Sequence, residues 1–194
     1  MMNIQGFFTK QLATIFDIRG EVKAEEQIHL TRQGIANNEF AQTHKFKGLL
    51  ENNTVINEGD LVKVEDEFYL VMAMRKVLFQ NTNQANLWKC DDICSVYKLE
   101  SQYDGNIKVG IEQAPIKKHI ICIQRDTNTR MRYFDAGLLE TTVKIVYMQF
   151  NPKIELGQRL TINNQNFQID SIDMTIKNVM ILQVSPDKRE DEQY

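Results

Sequence analysis

Apolar positions recur at nearly every second residue through much of the chain from Phe46 onward, in short runs separated by polar breaks. That period puts alternate side chains on one face of a pleated strand, so the chain predicts many short β-strands. In "LVKVEDEFYLVMAM" the even positions hold Val62, Val64, Phe68, Leu70, Met72 and Met74, which predicts a single shared face. "ANLWKCDDICSVYKL" is rich in aromatic and β-branched residues and predicts strands that pair nearby. "KHIICIQRD" and "ETTVKIVYMQF" are almost continuously apolar and short, as buried strands are.

The N-terminus breaks the alternation. Phe8, Leu12, Ile15 and Phe16 fall at i, i+4, i+7 and i+8, which predicts a short amphipathic helix ending before Gly20. Residues 21–32 read as extended, and "QGIANNEFAQTH" as an exposed loop. The charged tail after Pro186, "DKREDEQY", lacks apolar spacing and is expected to fray.

One stretch occurs twice. "INEGDLVKVEDEFYLVMAM" (56–74) is echoed by "IELGQRLTINNQNFQIDSI" (154–172): Gly59 answers Gly157, Val62 answers Leu160, and Val64 answers Ile162. Phe68 then answers Phe167 and Leu70 answers Ile169, if the second copy holds one extra residue. The first copy has Glu65, Asp66 and Glu67 where the second has Asn163, Asn164, Gln165 and Asn166. Carboxylate chemistry cannot be common to both copies, whereas a solvated chain reversal can, because Asp and Asn both tolerate turns. The acidic run is therefore read as a turn.

The polar stretch "LESQYDGNIK" (99–108) reads as a boundary or, failing that, a long connection. It divides the chain into 1–100, an N-terminal helix and β-barrel with hairpin 59–74, and 101–194, a second β-rich part with hairpin 157–172. The second part either stands alone or completes one domain with the first. The expected fold is mainly β: one or two small barrels of antiparallel hairpins with a short N-terminal helix.

Composition narrows the function. A formal charge of −3 argues against general nucleic-acid binding, which calls for a clearly basic face. No apolar run approaches the roughly 20 residues that span a bilayer, and the N-terminus lacks the basic and apolar regions of a signal peptide. Together these place synthesis and use on the cytoplasmic side, away from membranes. Three cysteines, an odd number, do not make a disulfide framework.

Candidate chemistry is sparse. "CDDIC" (Cys90, Asp91, Asp92, Cys94) is the most metal-like string, but structural zinc wants a second short pair of ligands. On one strand, residues 90, 92 and 94 would share a face and the cysteines would pack as small hydrophobes. Asp170 and Asp173 read as flanking a turn rather than as paired acids. No nucleophile elbow, phosphate loop, HExxH or dinucleotide fingerprint occurs, so no enzyme activity, metal or cofactor is expected. The loop "QRDTNTRMR" offers Arg125, Arg130 and Arg132 beside Tyr133 and Phe134, the residue types that anchor protein interfaces and phosphate contacts. Phe7, Phe8 and Phe16 on the N-terminal helix are further interface candidates, unless the helix merely caps a barrel.

"EGDLVKVEDEFYLV" (58–71) and "LGQRLTINNQNFQIDSID" (156–173) share a pattern of strand, small polar turn and strand. With the N-terminal segment, it resembles the small β-barrel structural proteins of tailed bacteriophages that sit between capsid and tail, namely head-closure or stopper proteins and related minor virion proteins. The resemblance implies a protein made in the host bacterial cytoplasm and located in the virion. It would form a homo-oligomeric ring at the head–tail junction, contacting portal, adaptor or tail proteins of the same phage, with DNA passing through unrecognised by sequence. An OB-like nucleic-acid-binding module and another phage tail or baseplate protein are the alternative expectations.

Overall fold

The structure, a computed structural model, describes residues 10–32, 44–77, 82–128, 131 and 137–189. Within these residues the chain is mainly β and forms two closed six-stranded barrels. The first contains β1 (Gln11–Phe16), β2 (Val22–Arg32), β3 (Lys45–Glu51), β4 (Leu61–Val64), β5 (Glu67–Val77) and β6 (Thr82–Cys90). Its strand order is β1-β2-β3-β6-β5-β4, with β4 returning to pair with β1. The second contains β7 (Asp92–Asp104), β8 (Ile107–Asp126), β9 (Lys144–Gln149), β10 (Arg159–Ile162), β11 (Gln165–Asp173) and β12 (Val179–Pro186). Its order is β7-β8-β9-β12-β11-β10, closed by β10 on β7.

Matched strand for strand, the two orders are the same, so the repeated hairpin belongs to a repeated barrel. Its register is also the same in both. Val62 pairs with Tyr69 as Leu160 pairs with Phe167, and Val64 pairs with Glu67 as Ile162 pairs with Gln165. A bulge follows at Val71/Ala73 and at Ile169/Ser171. The correspondence needs no extra residue: Tyr69, not Phe68, answers Phe167, and Val71, not Leu70, answers Ile169.

That register also corrects the even-numbered face. An antiparallel pair joined by a two-residue turn places an even residue opposite an odd one, so the inward set switches parity at the turn. Val62, Val64, Tyr69 and Val71 fill the first barrel with Ala13, Ile15, Ile28 and Leu87. Phe68 lies on the opposite face from Tyr69. In the second barrel, Val96, Cys122, Val146, Met148, Leu160, Phe167, Ile169 and Leu182 play the corresponding part.

The N-terminal helix is not formed in the described residues. Residues 11–16 are the strand β1, whose burial alternates, with Ala13 and Ile15 sealed and Leu12 exposed. Tertiary pairing overrides the helical spacing here, because β1 bonds β2 on one side and β4 on the other, and without it the barrel would stay open. Phe7 and Phe8 lie outside the described residues.

By contact, the chain divides into one unit of residues up to Asp91 with Met174–Val179, and a second of Asp92–Asp173 with the chain from Met180. "CDDIC" is therefore not one strand. Cys90 closes β6, Asp92 opens β7, and Cys94 and Cys122 are buried in the second core. The polar stretch 99–108 lies within the β7–β8 hairpin rather than between barrels.

The reversal before each repeated hairpin is built by the same bonds. Gly59 (φ +85°) donates to Val71 O at 2.9 Å, and Gly157 (φ +77°) to Ile169 O at 2.8 Å. The next side chain folds back on the loop: Asp60 Oδ2 accepts from Asn57 N at 2.8 Å, and Gln158 Oε1 accepts from Glu155 N at 3.1 Å. A buried carboxylate and a buried amide thus do one job, supplying an acceptor that a tight loop would otherwise lack.

Candidate interaction surface

Of the basic loop, Arg125 is described, while Arg130, Arg132, Tyr133 and Phe134 lie outside the described residues. Arg125 sits near the end of β8 opposite Ile145, half-buried, with Nη2 3.9 Å from Met131 Sδ. Its neighbour Asp126 pairs with Lys144, whose ammonium stands 5.8 Å from the centroid of the Phe167 ring. Phe16 is half-buried at the end of β1, its ring 6.1 Å from that of Phe68. It packs on its own barrel and is not presented by a helix.

The acidic run resolves into two roles. Glu65 and Asp66 form the exposed turn, with Glu65 at φ +54°. Glu67 is the first residue of β5 and accepts from Tyr69 Oη at 2.5 Å while pairing with Lys89. These hydrogen bonds, Lys89 first and Tyr69 second, hold the Glu67 carboxyl below its ordinary range. Burial, then the Glu67 bond, pushes the Tyr69 phenol up. A carboxylate so occupied is a structural clasp.

A second ionic cluster was not foreseen, and it corrects the fraying expected after Pro186 for Asp187–Arg189, the rest of that tail lying outside the described residues. Arg159 on β10 is fully buried, and its Nε donates to Asp187 Oδ2 at 2.7 Å, a pair with no exposed side-chain surface. Arg189 Nη2 reaches the same carboxylate at 2.8 Å, and its Nη1 donates to Gly157 O at 2.7 Å. Burial alone would raise the Asp187 carboxyl, but the bonds from Arg189 and Arg159 outweigh it and bring it down to about 2. The buried guanidinium needs this carboxylate, so Asp187–Arg189 are tied down beyond β12. The arginine within "GQRLTI" was the available sign, since an Arg on an otherwise apolar strand requires a partner.

No group of three or more His, Cys, Asp or Glu side chains suited to a metal forms among the described residues. The carboxylates of Glu67, Asp126 and Asp187 are each paired with a lysine or an arginine.

Among the described residues, a surface that departs from the shared plan is the β7–β8 hairpin. In both barrels the first two strands reach a bulge, at Ile15/Phe16 and at Val96/Tyr97. There the first barrel turns at once, Phe16 pairing with Val22 across the short segment 17–21. In the second, Tyr97 pairs with Pro115 and the strands run on through 98–114 as a ribbon. β10 reaches β7 only over Cys94–Tyr97, and β9 reaches β8 only over Cys122–Asp126. Among the described residues no third strand joins the ribbon.

The ribbon has two unlike faces. Leu99 and Ile111 are half-buried on one. The other carries Lys98, whose Nζ is 2.9 Å from Glu100, and Gln102, whose Nε2 donates to Glu112 at 3.1 Å. Glu100 and Glu112 stand directly opposite each other, a like-charge pairing that weakens the ribbon's own ladder. At matching positions of the two barrels, Leu12 on β1 and Ile93 on β7 are 54% and 56% exposed.

Compared with protein-family models and with curated proteins, the sequence matches none.

Proposed function

We propose that the protein is a structural connector of a phage or prophage virion, assembling as a ring at the head–tail junction through protein–protein interfaces, with no turnover. The observation that carries this reading is the ribbon 98–114, a projection that barrel closure does not require and that the otherwise matching first barrel lacks. Closed barrels have no free edges of their own, so they suit a rigid frame, and added segments supply contacts. The partners are further copies of the chain and the portal, adaptor or tail proteins beside it, with DNA passing through without sequence-specific binding. The motif pattern of 58–71 and 156–173, which resembles stopper proteins, supports the same reading.

Deleting the gene from the phage or prophage that encodes it tests this. Filled heads and free tails that fail to join, restored by the gene in trans, are expected. Normal yields of infectious particles would refute it.

One observation favours an OB-like nucleic-acid module instead. Phe68 and Trp88 are half-buried, and Lys63 and Lys45 stand 5.6 and 4.9 Å from their ring centroids. Aromatic rings beside lysines are what single-stranded nucleic acid stacks on. Salt-sensitive retention of single-stranded DNA on filters, lost in Trp88→Ala, would establish that reading over the connector.

A further inference from the structure

We propose that the β7–β8 ribbon is the arm by which one copy of this chain joins the next, pairing the free edge of β7 with the free edge of β8 on a second copy. This deepens the connector reading by naming the contact that would build the ring.

A two-stranded ribbon standing alone in water is marginally stable, and its outer edges present backbone donors and acceptors ready for another strand. Here the ribbon is further weakened from within, because Glu100 faces Glu112. Its two free edges lie on opposite sides and run in opposite directions. Side by side around a ring, β7 of one copy therefore meets β8 of its neighbour antiparallel, and each copy gives one edge and receives one. Such an arrangement is heterologous and closes by rotation.

Charge selects the register. Within one copy, Lys98 faces Ala114, Glu100 faces Glu112, and Gln102 faces Gly110. Between copies, a shift of two residues keeps every side chain on its face. It sets Lys98 opposite Glu112 of the second copy, and Glu100 opposite its Gly110. Glu112, which faces a like charge inside its own ribbon, thereby gains an opposite one across the junction. Leu99 and Ile111 then line up on the other face as a continuous apolar band. The sheet formed from successive ribbons has no edge left once the ring is closed.

The test is the mass of the full chain in solution across a concentration series, at low and moderate salt. Wild-type protein is expected to form closed oligomers. Lys98→Glu and Glu112→Lys should each weaken association by about tenfold or more, and the double reversal should restore it. A variant in which 98–114 is replaced by the residues of 17–21, the turn that closes the same hairpin in the first barrel, should stay monomeric while still unfolding cooperatively in urea. Oligomers that persist in that variant would overturn the arm while leaving the connector reading to the deletion experiment. A wild-type chain that is monomeric throughout would also overturn it, as would single reversals without effect.

Discussion

The two barrels solve one folding problem with different side chains at the same places. Leu61 and Cys90 of the first correspond by register to Arg159 and Asp187 of the second, so an apolar pair of positions in one is a buried ion pair in the other. The reverse holds a few residues away, where Tyr69 and Glu67 of the first correspond to Phe167 and Gln165. Strand order, bulges and the glycine reversal persist through these exchanges. What specifies the barrel is therefore the alternation and the turn geometry, and each site tolerates either apolar or ionic filling if that filling is complete.

The largest break in this comparison comes from leaving a filling incomplete. Asp187→Ala strands a buried guanidinium and should cost about 3–5 kcal/mol in urea unfolding. Arg159→Leu combined with Asp187→Cys installs the residues of the first barrel and should recover most of that loss, because a well-packed apolar pair is commonly as stable as a buried ionic one.

Next come the paired glycines. Both Gly59 and Gly157 have positive φ, but a Cβ on Gly59 would lie 2.3 Å from Asn178 Cβ, while one on Gly157 meets nothing within 4 Å. Gly59→Ala should cost about 3 kcal/mol and Gly157→Ala about 1 kcal/mol, crowding adding to strain only in the first. Trp88, the only tryptophan, lies in the first barrel, so its fluorescence reports the Gly59→Ala loss there.

Acid should separate the barrels as well. The Asp187 carboxyl lies at about 2 in the folded chain against an ordinary value of 3.8. A depressed carboxyl stabilises the fold fully above its unfolded value, and that stability is lost as pH falls through the folded one. Between about pH 4 and pH 2 the second barrel should lose about 2 kcal/mol. The double variant lacking the ion pair should lose less over the same window. The measurement is a set of urea midpoints across that range.

The smallest effect concerns the turn. Asn163 and Asn164 both adopt positive φ, which asparagine tolerates, whereas Glu65 does so at φ +54° with a longer side chain. Glu65→Asn should raise the urea midpoint of the Trp88 signal, by up to about 1 kcal/mol in stability.

Much of the fold was legible because alternation and repetition are local properties. The strand-rich character, the glycine-led hairpin and its recurrence could all be read from 56–74 and 154–172. Parity was harder, since a two-residue turn and a bulge each move the inward set, and only the register shows that Tyr69 rather than Phe68 answers Phe167. The helix predicted around Leu12, Ile15 and Phe16 failed because the need to close a barrel edge outweighs a short helical spacing. At the site, the Arg159–Asp187 pair joins residues far apart in the chain, and neither carries a local motif. The ribbon hid for the opposite reason: its polar residues resemble a linker, and only pairing with Ile107–Pro115 makes 98–104 a strand.

Quantitative mass spectrometry of purified particles tests the central claim most directly. A connector ring requires this chain in every mature particle, at a fixed whole-number copy ratio to the portal protein beside it. Absence from purified particles, or an amount that varies from one preparation to the next, would contradict the account.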